Sequence, residues 1–211
     1  MDKKWIAEKN FVYKKKESLS VLDEAINFAV IAHAGAVRKG TNRPYILHPL
    51  EAAAIVSTMT DDKNAIAAAV LHDVVEDTEL TIDDITENFG IDISRLVAAE
   101  SEEKREDKPP GETWKERKLE TVEHIRNTAS TEMKMIALGD KLSNIRAIHY
   151  DYMIHGDELW DRFNQKDKNE HGWYYKAILE ATRDLQYYPA WKEFRQLVML
   201  MFGESFAVSN T

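Results

Sequence analysis

Leu71-His72-Asp73-Val74-Val75-Glu76-Asp77-Thr78, at the end of the alanine-rich run Ala65-Ile66-Ala67-Ala68-Ala69-Val70, is the stretch on which the reading of this chain turns. Alanine and leucine favour helix strongly, so the sequence predicts His72 to Asp77 on the last two turns of a helix. On such a helix His72 and Asp73 stand about 100° apart, while His72/Glu76 and Asp73/Asp77 are i,i+4 pairs on roughly one side. Four ionisable groups then crowd one helical face. Like charges at this spacing repel by roughly a few tenths of a kcal/mol per pair even when solvated, and acids at a helix C-terminus oppose the macrodipole. Two readings stand side by side. The stretch is a solvated acidic helix end with an ordinary polar histidine, or its imidazole and carboxylates hold a divalent cation such as Zn, Mn or Fe.

Composition narrows the setting. The 211 residues, with 44% hydrophobic and 31% charged content, suit one domain with a sizeable core. The absence of cysteine excludes disulfides, thiolate nucleophiles and Cys-type zinc sites, so a metal must be held by His, Asp, Glu or water. No apolar run of signal-peptide length follows Met1-Asp2-Lys3-Lys4-Trp5, and no stretch approaches the ~18 apolar residues of a membrane span. The expectation is a cytoplasmic protein without a membrane partner. A net charge of −9 argues against a nucleic-acid-binding surface, whose footprint would be basic. No self-complementary patch that would set an oligomeric state is legible.

Outward from the opening stretch, the pattern is helical throughout. Residues 1–19, with the run Lys14-Lys15-Lys16, read as a solvated lead-in. Ser20 with Asp23 forms a capping-box pattern ahead of Val21, Leu22, Ala25, Ile26 and Ala29, predicting a first helix that ends towards Ala34-Gly35-Ala36. Gly40, Asn42 and Pro44 mark the segment from Val37 to Pro49 as a loop, and it packs Arg38, Lys39, Arg43 and Tyr45 into eight residues. Pro49 suits the first position of the next helix, with His48 at its start. Thr81 and Asp84 resemble a second capping box, closed by Gly90. The charged Pro/Gly segment from Glu102 to Gly111 reads as a surface loop, either a linker or a lid. Helices are predicted over Trp114 to Asn127 and Met133 to about His149, and two more around Trp173 to Gln186 and Trp191 to Met201. In the second of these four Asp140 sits among core positions, and a buried carboxylate needs a partner or a metal. The aromatic-rich C-terminal quarter reads as core, and the lone His33 as structural.

His48 at a helix start, His72-Asp73 on another helix and Asp140 on a third supply two imidazoles and two carboxylates, a set that leaves positions open for water and substrate. In this order, His … His-Asp … Asp with helices between, the chain resembles the HD-domain metal-dependent phosphohydrolases. More narrowly it is similar to the (p)ppGpp hydrolase domain of Rel/SpoT proteins and the stand-alone small alarmone hydrolases. The matching segments are Arg38-Lys39-Gly40-Thr41, Pro44-Tyr45-Ile46-Leu47-His48-Pro49, Leu71 to Thr78, and Gly139-Asp140-Lys141-Leu142-Ser143-Asn144-Ile145-Arg146.

That resemblance implies an all-α HD-domain helical bundle, with a core over 20–150 and C-terminal helices over 151–211 packed on it. It implies His48, His72, Asp73 and Asp140 as ligands of Mn(II) or another divalent transition metal. Glu76 and Asp77 become the acidic pair that orients or deprotonates the attacking water. Arg38, Lys39, Tyr45, Lys141, Asn144 and Arg146 lie where a small-molecule nucleotide would be contacted. The implied reaction is removal of the 3′-pyrophosphate from (p)ppGpp, a stringent-response alarmone. The alternatives are hydrolysis of another nucleotide such as ppApp or NADPH, or a sensor that binds without turnover. General chemistry agrees: a cation can activate water and polarise a phosphoryl oxygen, and Arg38, Lys39 and Arg43 offset an acidic protein's repulsion of an anion. Two departures from the family pattern stand out. Gly139 replaces the usual alanine, a change expected to be small, and Ala98-Ala99-Glu100-Ser101-Glu102-Glu103-Lys104 replaces a Val-Thr-containing pocket segment.

Overall fold

A computed structural model describes residues 20–100, 109, 111–128 and 130–203. The lysine run at 14–16 and the charged segment over 101–108 lie outside the described residues, and with them the choice between linker and lid.

Helix α1, Val21–Ala32, starts with the predicted reciprocal cap between Ser20 and Asp23. Gly35, at φ 82°, turns the chain through a conformation that costs other residues a clash. The basic loop that follows is closed by an isolated bridge between Val37 and Pro44. Helix α2, Leu47–Val56, begins two residues earlier than Pro49. The proline therefore sits in the first turn, where its missing N–H has no partner to lose.

Helix α3, Lys63–Leu71, carries the alanine run, and Ala65, Ala67, Ala68, Ala69, Val70 and Leu71 are fully buried. It packs against α1 and α2, and against two later helices, α6 (Ile91–Glu100) and α8 (Thr131–His155). A helix apolar all round belongs at the centre of a fold, and alanine lets four neighbours approach closely.

One expectation is corrected at the point that matters most. His72 to Asp77 do not continue α3: the helix ends at Leu71, His72 and Asp73 form a turn, and a short α4 runs over Val74–Asp77. On a continuous helix His72 and Asp73 would point about 100° apart. The turn brings both side chains to one point. Sequence missed it because neither Gly nor Pro marks the break.

Helix α5, Ile82–Phe89, has the predicted Thr81/Asp84 capping box and ends at Gly90, φ 81°. Helix α7 runs over Trp114–Asn127 as predicted. Helix α8 is longer than predicted, 25 residues or about 37 Å at 1.5 Å per residue, and continues into a 3₁₀ segment, Gly156–Arg162. Helix α9, Lys168–Ala181, packs on α7, and α10, Pro189–Phe202, packs on α8 and α9. Trp160, Tyr174, Tyr175, Phe194 and Phe202 are buried between them, as their density suggested. Phe163, Trp173, Tyr188 and Trp191 are partly buried against this core, and Tyr187 is 80% exposed. Among the described residues there is no strand, and no helix is long and apolar enough to cross a membrane.

Candidate active site

Three elements converge on one point. His48 comes from the first turn of α2, His72 and Asp73 from the turn after α3, and Asp140 from the middle of α8. His48 Nε2 lies 3.3 Å from Asp73 Oδ2 and 3.1 Å from Asp140 Oδ1, and His72 Nε2 lies 3.2 and 3.7 Å from the same two atoms. His48, His72 and Asp140 are each 5% exposed or less, and their ligand atoms lie within 4.8 Å of one another.

Gly139 explains how α8 comes so close to α2. A Cβ there would stand 2.8 Å from Val56 Cγ2 and 2.9 Å from the Ala52 carbonyl oxygen. The residue is therefore more than a neutral replacement of alanine, since a methyl would hold the two helices apart beside Asp140.

The hydrogen bonds behind the cluster decide what it can hold. His72 Nδ1 donates to the Ala69 carbonyl at 2.8 Å. Ser143 Oγ spends its proton on Glu51 Oε2 at 2.8 Å, so it accepts from His48 Nδ1, also at 2.8 Å. Both rings thus carry a proton on Nδ1 and turn Nε2 inward, the tautomer a metal needs. His72 Nε2 is buried with no hydrogen-bond partner. Two inward nitrogen lone pairs facing two carboxylates repel unless a positive charge stands between them. Burial resists charge on His72, yet Asp73 and Asp140 lift its pKa well above the usual imidazole range, so without a cation the positive charge between them is a second proton on this ring, which a bound cation would replace. Burial likewise resists ionisation of Asp140, but Lys141 and the two histidines hold its carboxyl well below the usual range. The donor set of neutral nitrogen and carboxylate oxygen fits a divalent transition metal.

Surrounding residues lock this arrangement. The Tyr45 hydroxyl donates to Asp73 Oδ2 at 2.6 Å, and burial together with Asp73 and Asp77 raises its pKa far out of reach. Lys141 pairs with Asp140 Oδ2. Asn144 donates to Asp140 Oδ1 and accepts from Arg38, whose guanidinium lies 5.4 Å from the Tyr45 ring centre. His33 packs behind, its ring 4.9 Å from that of Tyr45.

A cavity of about 530 Å³ opens beside the cluster, and Asp77, Arg38, Lys39, Tyr45, Lys141, Asn144 and Arg146 all line it. Glu76 is partly buried on α4 and does not line it. Tyr45, Lys141 and Arg146 are already engaged by carboxylates, Arg146 by Glu51 and by Glu193. Among the described residues Arg38 and Lys39 bond to amide oxygens, Lys39 to Asn164 at 3.0 Å, and to no carboxylate. Sequence reading did not single out the far wall, built by Trp114, Arg162, His171 and Tyr174. Nor did it find Glu51 and Ser143, although each stands one helical turn after a proposed ligand, His48 and Asp140, and that spacing is the signal that could have revealed them.

Fold and site together define an all-α metal-dependent phosphohydrolase. The chain belongs to the HD domain family, whose model matches residues 25–157, and a divalent metal ion is part of its chemistry. Among known proteins it is 36% identical over 135 residues to the guanosine-3′,5′-bis(diphosphate) 3′-pyrophosphohydrolase MESH1 of Danio rerio, covering 63% of this chain and 71% of that protein. It is 31% identical over 141 residues to the GTP pyrophosphokinase rsh of Brucella ovis, where the match covers 64% of this chain and only 18% of that longer protein. The solved structure of lmo0812 from Listeria monocytogenes matches with TM-score 0.65 at 31% identity, over 77% of this chain and 98% of that one. A metazoan SpoT ortholog shares the fold, with TM-score 0.69 at 23% identity.

Proposed function

We propose that this chain removes the 3′-pyrophosphate from guanosine 3′,5′-bis(diphosphate) or its pentaphosphate relative, in the cytoplasm and with Mn(II). The observation that carries the reading is the His48/His72/Asp73/Asp140 cluster opening onto a cavity whose rim holds Arg38 and Lys39 with no carboxylate partner among the described residues. The printed activity of the Danio rerio relative supports the choice of substrate. Residues 20–150 form the catalytic unit in this reading, and Arg162, His171 and Tyr174 complete its far wall beside Trp114.

A divalent cation in the cluster would polarise a phosphoryl oxygen of the substrate. Arg38 and Lys39 bind the phosphates, Arg with a planar fork suited to two oxygens. The acidic pair Glu76 and Asp77 orients the attacking water, and Asp77, the one of the two at the cavity wall, takes its proton. Water adds to the phosphorus attached to the ribose 3′ oxygen and the bond between them breaks. The 3′ oxygen takes up a proton, so that one water converts ppGpp into GDP and pyrophosphate. Tyr45, Asn144 and Lys141 keep the two carboxylates of the cluster in place while this happens.

The test is hydrolysis by the purified protein with Mn(II), with an EDTA-treated control and with ppApp and NADPH in parallel, products being resolved by anion exchange. Metal-dependent release of GDP and pyrophosphate is expected. Cleavage of ppApp or NADPH with none of ppGpp would overturn the substrate and keep the site. Binding of ppGpp without turnover of any of the three would favour a sensor.

A further inference from the structure

His48 is joined to the last helix of the fold by an unbroken run of hydrogen bonds. Its Nδ1 donates to Ser143 Oγ at 2.8 Å, and Ser143 Oγ donates to Glu51 Oε2 at 2.8 Å. The other oxygen of Glu51 accepts from Arg146 Nη1 at 2.9 Å. Arg146 then presents Nε and Nη2 to the two oxygens of Glu193, each at 2.7 Å. Glu51 lies on α2 one turn after His48, Ser143 and Arg146 lie on α8 one and two turns after Asp140, and Glu193 lies on α10.

Each link has one direction. A serine has a single proton, and with that proton on Glu51 its oxygen can only accept from the imidazole. The Glu51 charge makes the serine oxygen a better acceptor, Arg146 keeps Glu51 in place, and the two-point contact to Glu193 orients the guanidinium. Ser143 is 2% exposed although it borders the cavity, so in the fold His48 Nδ1 meets its oxygen at 2.8 Å. Glu193 also lies beyond residues 25–157, the stretch matched by the family model.

We propose that Ser143, Glu51, Arg146 and Glu193 are positioning residues that fix the tautomer and orientation of His48, so that the cluster's affinity for a divalent metal depends on the seating of α10. The proposal rests on the reading of His48 as a metal ligand. It adds to Arg146, which lines the cavity, a role in support of the ligand.

The experiment is a Mn(II) binding titration of the purified full chain, followed by the electron paramagnetic resonance signal of free Mn(II), with the melting temperature of each metal-free variant beside it. Ser143→Ala is expected to weaken binding about 10–100-fold, the usual effect of removing a ligand's supporting hydrogen bond. Glu193→Gln, on the partly exposed end of the chain, is expected to weaken it about threefold with melting unchanged. In a His48→Gln background Ser143→Ala should have no further effect, because the two act as one unit. Wild-type affinity in Ser143→Ala, or an undiminished effect of that change in the His48→Gln background, overturns the proposal. Undiminished binding by His48→Gln alone would overturn the ligand reading instead, and the proposal with it.

Discussion

Asp140 and Asp151 stand on the same helix, about three turns and 16 Å apart, and both are buried, at 4% and 7% exposure. Asp140 faces two imidazole nitrogens and a second carboxylate, with Lys141 and Asn144 on its outer side. Asp151 faces two guanidiniums, Arg43 at 2.5 Å and Arg162 at 3.0 Å. The aliphatic part of Arg162 lies over Gly40, where a Cβ would stand 2.6 Å from Arg162 Cδ, so this pair fastens the basic loop to the end of α8. One buried carboxylate is already neutralised by the protein and serves the structure. The other is set among groups that repel one another until a cation joins them. Burial of an acid on a core helix is therefore an ambiguous signal, and the neighbours decide between clamp and ligand.

Four substitutions test the difference between the two carboxylates and their surroundings. Asp140→Asn should abolish high-affinity Mn(II) binding and lower turnover by about a thousandfold or more, beyond the 10–100-fold cost of a lost supporting contact; metal analysis with steady-state assay checks it. Asp77→Asn keeps every atom of the cluster, so metal content should stay at the wild-type level while turnover falls about 10²–10⁴-fold, the usual contribution of a general base. Activity that survives this change would remove Asp77 from the chemistry.

Asp151→Asn should do the reverse of Asp140→Asn. Metal affinity is kept, while stability falls by about 1–3 kcal/mol, less than for a fully buried pair because Arg43 is half exposed. The loosened loop should raise KM severalfold with little change in kcat. Gly139→Ala tests the approach of the helices, since the added methyl meets Val56 and the Ala52 backbone. A loss of about 1–3 kcal/mol in stability should come with severalfold weaker metal binding.

The smallest expected effect concerns Glu100, at the end of α6. Burial pushes its carboxyl up to about 7, against the pull of Lys141. A carboxyl raised on folding contributes stability that is complete below its unfolded pKa, about 4.3, and is lost as pH rises through about 7. Glu100→Gln should therefore flatten the pH dependence of the melting temperature between about 5 and 8. An unchanged slope would place the carboxyl in contact with water.

Much of this was legible in the sequence because the signals are local. The Ser20 and Thr81 caps and the extent of α7 follow from side-chain chemistry within one helical turn, and the buried α3 from its run of alanines. That His48, His72, Asp73 and Asp140 would meet was legible through resemblance in the order of the motifs, where spacing alone left the stretch open between a solvated helix end and a cation site. The turn at His72-Asp73 was not legible, since tertiary packing breaks a helix that propensity would continue. Arg43, which holds Asp151, and the two glutamates that hold Arg146 come from segments far along the chain, and pairing at such separation leaves no periodic trace. Arg146 shows the limit: its place in the motif suggested substrate, and only the fold revealed the two carboxylates that hold it.

The most direct test is a crystal of the chain grown with Mn(II), with diffraction data collected at the manganese absorption edge. One anomalous peak enclosed by His48 Nε2, His72 Nε2, Asp73 and Asp140 is expected, lost in Asp140→Asn but not in Asp151→Asn. No peak in that cluster, or a peak only against Glu76 and Asp77, would contradict the reading of these four residues as metal ligands.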